Sequence, residues 1–280
     1  MKTLFHYTTA AGLLKILQSS SLWASDHRFL NDAQEALFAR DLLVDAVRTM
    51  DNPVRSPDHW AHDLGEDAAT TFANYQGFIV DELGSSGFGV YVACFCESGD
   101  LLSQWRGYGT DHGYSIEVTV DALEATLSGL STYAPATGVA QVRYGTDAAR
   151  DVVDAALRSV ADFNLNHPGV KAHYKALELN SMLARIKHPG FAEEREWRLV
   201  AAFEIFDEPI GQVEDERTKF RSTPMAIVPY IELDLPLDAI VSIRVGPGTN
   251  VDVREAGVRR LLKALGSRAE VLQSDLPLRA

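Results

Sequence analysis

Apolar positions change their spacing repeatedly along the chain, and this predicts an alternation of short strands and helices. Leucine, isoleucine and valine recur at helical intervals over residues 10–19 and 251–265, which predicts two amphipathic helices. Phe88–Cys96 is rich in Val, Tyr and Phe and therefore predicts a strand. Other apolar runs predict strands at Leu4–Thr8, Ser21–Ser25, Tyr114–Val120, Val139–Tyr144, Glu194–Phe206, Met225–Leu233, Ile240–Val245 and Glu270–Leu272.

Polar residues mark the starts of further helices. Asp32 and Glu35 have the spacing of a capping box, which predicts a helix toward Met50, and Asp121 and Glu124 repeat that spacing. Residues 59–83 are predicted to be mainly helical, a short helix is predicted over 100–108, and two helices are predicted within 146–187.

Strands and helices alternate without regular βαβ repetition, so we expect an α+β fold around a mixed or antiparallel sheet. The chain shows no internal repeat and no Pro/Gly-rich linker. We therefore expect one domain over residues 1–280, with a helical insert at about 33–84.

Composition restricts the partners. The net charge of −13 and the scattered basic residues disfavour extended nucleic-acid binding, which needs a basic surface. A small anionic ligand needs only one or two arginines. No apolar run reaches the roughly 20 residues that span a bilayer. The first residues lack the pattern of a secretory signal, and the two cysteines lack further thiols for a metal site. These features predict a cytoplasmic protein with no membrane partner and no metal.

The predicted strand at Glu194–Phe206 begins with an unusual charge pattern. Alternation puts Glu194, Glu196 and Arg198 on one face, with the two carboxylates about 7 Å apart. Such a pair repels unless something stabilises it. One interpretation is a pair that binds sugar hydroxyls and stabilises an oxocarbenium charge. The alternative is a half-buried strand with a solvated polar face.

Two other stretches combine strand-forming residues with polar groups. His6 lies in an apolar predicted strand, where a neutral imidazole can bind a ribose hydroxyl or transfer a proton, or can be a satisfied core group. Phe88–Tyr108 ends in Ser-Gln-Trp-Arg-Gly-Tyr, in which Trp105 and Tyr108 share a helix face. These aromatics can stack on a planar ring beside an arginine that pairs with phosphate, or Trp105 can be a core anchor.

The motifs HYT, LND, SQWRGYG and EEREWRLV, in this order, resemble a widespread bacterial family that is known only as a domain of unknown function. The resemblance extends over most of the chain. It implies no activity.

A second resemblance is to the ADP-ribosyltransferase superfamily, in its branch with a His-Tyr-Glu signature. It implies a split, twisted mixed sheet with flanking helices and NAD as substrate. His6 would hold the adenosine ribose, Tyr91 or Tyr108 would stack on nicotinamide, and Glu196, with Glu194 as competitor, would stabilise the oxocarbenium. The remaining candidates for contact with NAD are Tyr7, Thr8, Ser98, Ser103, Trp105, Arg106 and Arg198.

We therefore expect an NAD-consuming enzyme that cleaves the nicotinamide N-glycosidic bond, as a bacterial toxin or phage-defence effector. Its acceptor would be a protein, a nucleic acid, a small molecule or water. Two alternatives stay open, namely a nucleotide-binding sensor without catalysis and a phosphodiesterase or nuclease that uses His6 with Glu194 or Glu196.

Overall fold

Ten strands of the described residues form one twisted, mostly antiparallel sheet in the computed structural model. The structure describes residues 2–30, 33–49, 73–74, 76–78, 80–81, 88–108, 112–128, 130, 137–166, 178, 180–204, 217–223 and 226–276. The strands are β1 (Thr3–Thr8), β2 (Ser21–Asp26), β3 (Phe88–Cys96), β4 (Tyr114–Thr119), β5 (Gly138–Gln141), β6 (Arg143–Tyr144), β7 (Ile186–Lys187), β8 (Glu196–Glu204), β9 (Lys219–Ser222), β10 (Ile227–Asp234), β11 (Ile240–Val245) and β12 (Glu270–Gln273). The helices are α1 (Ala10–Ser19), α2 (Ala33–Thr49), α3 (Leu102–Tyr108), α4 (Val120–Ala125), α5 (Gly145–Asn166) and α6 (Val251–Leu265).

The sheet runs in the order β12-β11-β4-β1-β3-β2-β10-β9, and β8 joins β3 to β5. Within it, β11 and β12 are parallel and the other described pairs are antiparallel. The α+β class predicted from the sequence is confirmed. The finer expectation of an ADP-ribosyltransferase-like fold stays a prediction.

The strand β3 carries a fork in the sheet. Its whole length pairs with β8 on one edge. On the opposite edge, β2 pairs at Tyr91 and Val92, whereas β1 pairs at Cys96. The strands β1 and β2 therefore separate along that edge, and the backbone of β3 between Val92 and Cys96 faces the gap.

Two apolar clusters hold the elements together. One face of the large sheet packs on α1 and α6, with Leu17 and Leu262 among its buried side chains. Complete burial of one such leucine contributes roughly 1.5–3 kcal/mol. The helices α2 and α5 form a second cluster with Ile186 of β7. The expectation of a single domain, with an insert at about 33–84 that includes α2, stays a prediction.

Most element boundaries agree with the sequence. The exceptions include β9, which was not predicted, and β7, which lies at the end of a stretch that was predicted to hold helices. The predicted strand Val139–Tyr144 is divided between β5 and β6. The helix α4 is capped by Thr119, whose side chain accepts from the Ala122 N–H, so the predicted cap at Asp121 was wrong. Glu194 ends a 3-10 turn instead of beginning β8. Three predictions lie outside the described residues or side chains. They are the helix cap at Asp32, the Glu35 side chain that completes its capping box, and most of the helix at 59–83.

Candidate functional site

Three strands align three residues at the fork. The register pairs Cys96 of β3 with Phe5 of β1 on one side and with Glu196 of β8 on the other. His6 follows Phe5 in β1, so segments from the beginning, middle and last third of the chain meet here. The meeting results from strand pairing, which the sequence pattern alone does not specify.

A small cleft, about 40 Å³ in volume, opens at this fork. We call it the fork cleft. Its wall combines aromatic rings, two thiols, one imidazole, one carboxamide and two carboxylates. The lining residues are Phe5, His6, Tyr7, Cys94, Phe95, Cys96, Gln104, Tyr108, Glu194 and Glu196.

Glu196 is a buried and ionised carboxylate in the wall of the cleft. Arg198 donates from Nε to Oε1 at 2.7 Å and from its second amino group to Oε2 at 3.1 Å. Burial alone would raise the pKa of Glu196, but Arg198 and Lys187 outweigh burial and lower it to about 2. Its backbone is also fixed, because its N–H donates to the Tyr144 hydroxyl at 3.0 Å. Glu196 is thus a rigid negative charge at neutral pH.

Lys187 joins the two carboxylates. Its Nζ lies 2.8 Å from Oε2 of Glu194 and 2.8 Å from Oε2 of Glu196. The small parallel sheet of β6 and β7 positions it, since Tyr144 pairs with Lys187 there and also holds the Glu196 backbone. Lys187 and Glu196 are buried, whereas the Glu194 side chain is 17% exposed. The Oε1 atom of Glu194 has no hydrogen-bond partner among the described residues.

The approach of the two glutamates differs from the predicted alternation. Arg195 adopts a left-handed conformation with φ of 44°, which breaks the strand geometry between Glu194 and Glu196. The predicted placement of Glu194 on the same strand face as Glu196 was therefore wrong. Instead, Lys187 binds both carboxylates and so holds them at one cleft.

His6 presents a neutral imidazole to the cleft. Its Nδ1 lies 2.9 Å from the Cys94 carbonyl oxygen, which accepts, so Nδ1 carries the proton. This bond satisfies a β3 carbonyl at the place where β1 no longer pairs with that strand. Burial lowers the pKa of His6, and the bond to Cys94 opposes this effect. Nε2 keeps its lone pair and has no hydrogen-bond partner within the described part of the chain.

We expect nitrogen NMR of His6 to show the neutral Nδ1–H tautomer at pH 7, with a titration midpoint below the usual value of about 6.5. Because the unfolded chain binds this proton at higher pH than the folded protein, the free energy of unfolding should fall as pH drops below about 6.5. His27 contributes in the same direction, since burial also lowers its pKa. His6→Gln should remove only part of this decline. A midpoint above 6.5 for His6 would contradict the assignment.

The two thiols of the cleft are held in the protonated form. Burial raises the pKa of Cys94, and proximity to Glu196 adds to that rise. Burial likewise raises the pKa of Cys96 to about 12. Because the thiolate is the reactive form, neither cysteine has the properties of a nucleophile at neutral pH.

Trp105 is a core anchor beside the cleft. Its indole donates to Asp100 at 2.8 Å and packs edge-on against Tyr7 with ring centroids 4.6 Å apart. The Tyr7 hydroxyl donates to the Ser98 carbonyl at 2.9 Å and accepts from the Leu101 N–H at 2.8 Å. These contacts hold the start of α3 against β1 and thereby position Gln104 and Tyr108.

We expect Gly246→Ala to destabilise the protein by about 1–3 kcal/mol, because the new methyl group overpacks this anchor. A Cβ at Gly246 would lie 2.8 Å from the Trp105 ring and 2.9 Å from the Gly113 carbonyl oxygen. Urea unfolding measures the change.

Gly257 on the exposed face of α6 is the matched control, since a Cβ there meets nothing within 4 Å. Gly257→Ala should stabilise the protein by roughly 0.5–1 kcal/mol. Equal effects of the two substitutions would show that the Trp105 packing does not constrain Gly246.

The structure brings together only some of the predicted site residues. His6, Tyr7, Tyr108, Glu194 and Glu196 line the cleft. Tyr108 is 37% exposed and lies at its rim.

The other predicted residues lie outside the lining. Arg198 is buried behind Glu196, Arg106 is exposed on α3, and the Ser103 hydroxyl is enclosed without a partner, for which the structure offers no explanation. Thr8 ends β1, and Ser98 supplies a carbonyl to Tyr7. Tyr91 is buried elsewhere on β3, where its hydroxyl lies 2.8 Å from Thr218 Oγ1. This placement favours Tyr108 over Tyr91 as the aromatic group of the cleft.

Sequence reasoning missed several residues of this site, and two of them, Lys187 and Gln104, are polar groups with a role in the argument. The sequence contained an indication of a cation such as Lys187, because two neighbouring carboxylates on a half-buried segment require one. The sequence contained no indication that Gln104 lines the site, since a glutamine in a short polar helix also fits a solvent-facing position.

Some kinds of site were not found in the described ranges. They contain no group of three or more His, Cys, Asp or Glu side chains that could hold a metal ion. No helix in those ranges is long and apolar enough to cross a bilayer.

Comparisons with known proteins bear on this region of the chain. No curated protein and no solved structure matches the chain. The resemblance to the ADP-ribosyltransferase superfamily therefore stays a prediction. Residues 104–199, which include Gln104, Tyr108, Lys187 and both glutamates of the cleft, match the model of a family described as protein of unknown function (DUF2971). The motifs predicted a domain of unknown function, but the match does not reach the HYT and LND motifs and so does not extend over most of the chain.

Proposed function

We propose that the protein cleaves the bond between nicotinamide and ribose in NAD, and that the fork cleft is its active site. One observation carries the proposal. His6, from the first strand, and the carboxylates of Glu194 and Glu196, from a distant segment, line one cleft beside Tyr108. A neutral base, fixed negative charge and aromatic surface suit a sugar that becomes cationic next to a planar leaving group.

The reaction transfers positive charge within the substrate. The C1′–N bond breaks, its electron pair moves to the ring nitrogen of nicotinamide, and the ribose becomes an oxocarbenium ion. Water or another acceptor then bonds to C1′ and loses a proton. A carboxylate near C1′ stabilises the developing cation, and this effect is strongest where water is excluded.

Glu194 is the carboxylate that we assign to contact with the ribose. Both oxygens of Glu196 already accept from Arg198, and Oε2 also accepts from Lys187. Among the described residues, Glu194 accepts a hydrogen bond from Lys187 alone, through Oε2. Its Oε1 remains available to a ribose hydroxyl or to the oxocarbenium. Glu196 and Lys187 then act as positioning residues that hold Glu194 at the cleft.

His6 and Tyr108 complete the proposed site. The lone pair on His6 Nε2 accepts from a ribose hydroxyl, because the ring is neutral and Nδ1 is bound to the Cys94 carbonyl. Tyr108 at the rim provides an aromatic face for the nicotinamide ring. The adenosine end of NAD would extend beyond the cleft.

Activity as a toxin or phage-defence effector is the biological role that we propose for such chemistry. Consumption of NAD, or modification of an essential acceptor, would arrest a cell that contains the active enzyme. The acceptor is a protein, a nucleic acid, a small molecule or water. The net charge of −13 disfavours extended contact with nucleic acid.

The test is release of labelled nicotinamide from NAD by the purified protein, with and without cell lysate. Release in buffer alone indicates hydrolysis, and release that needs lysate indicates transfer to an acceptor. Saturable NAD binding without release under either condition would favour a nucleotide sensor. If the protein neither releases nicotinamide nor binds NAD, the proposal is refuted.

A further inference from the structure

Gln104 is a buried polar side chain that the proposed chemistry does not use. It lies on α3, is only 4% exposed, and lines the fork cleft. Its carboxamide has no hydrogen-bond partner among the residues that the structure describes. The oxygen and the nitrogen of this carboxamide are not fully enclosed. Both therefore retain access to open space. The space that Gln104 lines is the cleft.

Because the carboxamide reaches open space only at the cleft, water or a ligand in the cleft must complete its hydrogen bonds. A carboxamide offers one acceptor oxygen and two N–H donors side by side. Another primary amide matches this edge with two antiparallel hydrogen bonds. A carboxylate or a ketone satisfies only the donors, because neither offers an N–H to the glutamine oxygen.

The walls around Gln104 add a second restriction. Phe5 and Tyr108 are aromatic residues that line the same cleft. The two thiols of the cleft are neutral, since burial raises the pKa of each. The neighbourhood of Gln104 therefore suits a flat ring without negative charge more than an anion.

We infer that Gln104 is a specificity-determining residue that recognises a planar ring bearing a primary amide. The inference rests on the proposed function for the identity of that ring, which is nicotinamide. It extends the proposed function because it assigns the recognition of the leaving group to one side chain on α3. The side-chain packing of Trp105 on Tyr7 fixes the helix that presents this amide.

The experiment compares the affinity of two probes, nicotinamide and 3-acetylpyridine, by ligand-observed NMR titration. The two rings have similar shape, but 3-acetylpyridine lacks the N–H donor. We expect the wild-type protein to bind nicotinamide at least about tenfold more tightly, which corresponds to about 1.4 kcal/mol. Gln104→Leu should abolish this preference while it retains affinity for 3-acetylpyridine. Gln141→Leu, on the exposed face of β5, is the matched control and should keep the preference.

Several outcomes would overturn the inference. These are equal affinity of the wild-type protein for the two probes, no nicotinamide binding up to its solubility limit, and an unchanged preference in a folded Gln104→Leu variant. The wild-type comparison alone decides the matter if that variant does not fold. The experiments distinguish failure of the proposed NAD cleavage from failure of the inference on Gln104. A preference without NAD cleavage leaves the inference intact and refutes the chemistry, whereas NAD cleavage without a preference refutes the inference alone.

Discussion

Replacing Lys187 by methionine is expected to lower the free energy of unfolding by about 3–5 kcal/mol, because the substitution leaves charge buried without its partner. Lys187 donates to both Glu194 and Glu196, and its side chain is almost completely buried. Methionine fills a similar volume, so the loss reports on charge more than on packing. The two carboxylates would then repel each other, and Arg198 beside Glu196 would compensate in part. Urea unfolding monitored by circular dichroism measures the change.

A double-mutant cycle separates repulsion from packing. Adding Glu194→Gln to Lys187→Met removes the carboxylate that loses its described partner, Lys187, and should recover part of the lost stability. Lys219→Met is the matched control, because Lys219 also pairs with a glutamate, Glu232, but at the surface. That control should leave stability unchanged within error. A loss below about 1 kcal/mol for Lys187→Met would contradict a buried charge network that depends on this lysine.

Glu194→Gln is expected to reduce nicotinamide release by at least about 100-fold, which is typical for loss of one group that stabilises transition-state charge. The substitution preserves the size of the side chain and removes its charge. Folding should survive, because Glu196 remains paired with Lys187 and Arg198. The measurement is the turnover rate with saturating NAD, together with the unfolding midpoint of the same protein preparation.

Glu193 provides the matched control for this experiment. It lies on the same 3-10 turn as Glu194 but is exposed and does not line the cleft. Glu193→Gln should therefore retain the wild-type rate. The assignment of Glu194 fails if its variant retains activity, or if the Glu193 variant loses activity to the same extent. Retained activity in Glu194→Gln with loss in a folded Glu196→Gln variant would transfer the role to Glu196.

The sequence predicted the elements that follow from local periodicity. The helices at Ala10–Ser19 and Val251–Leu265 match their predicted bounds, because each has an apolar stripe with clear ends. The strand Phe88–Cys96 was also predicted correctly from its β-branched and aromatic composition. The break at Arg195 was missed, since the left-handed conformation occurs at an arginine rather than at a glycine or asparagine.

The site was predictable only in part, because it depends on which strands become neighbours. The sequence indicated that His6, Tyr108 and the glutamates carry polar chemistry, and the register of β1, β3 and β8 gathers them. It could not show that Trp105 turns toward Asp100 and Tyr7, because a helix face of two aromatics fits a ligand and a core equally well. Lys187 reaches the site through a two-residue strand that no periodicity marks.

A crystal structure of the Glu194→Gln variant with NAD tests the central claim most directly. The substitution slows cleavage in our account and so preserves the bound substrate. We predict the nicotinamide ring in the fork cleft, its amide within hydrogen-bond distance of Gln104, and its ribose beside residue 194 and His6. An NAD molecule ordered elsewhere on the protein, or an unoccupied cleft at saturating NAD, would contradict the claim that this cleft is the site of NAD cleavage.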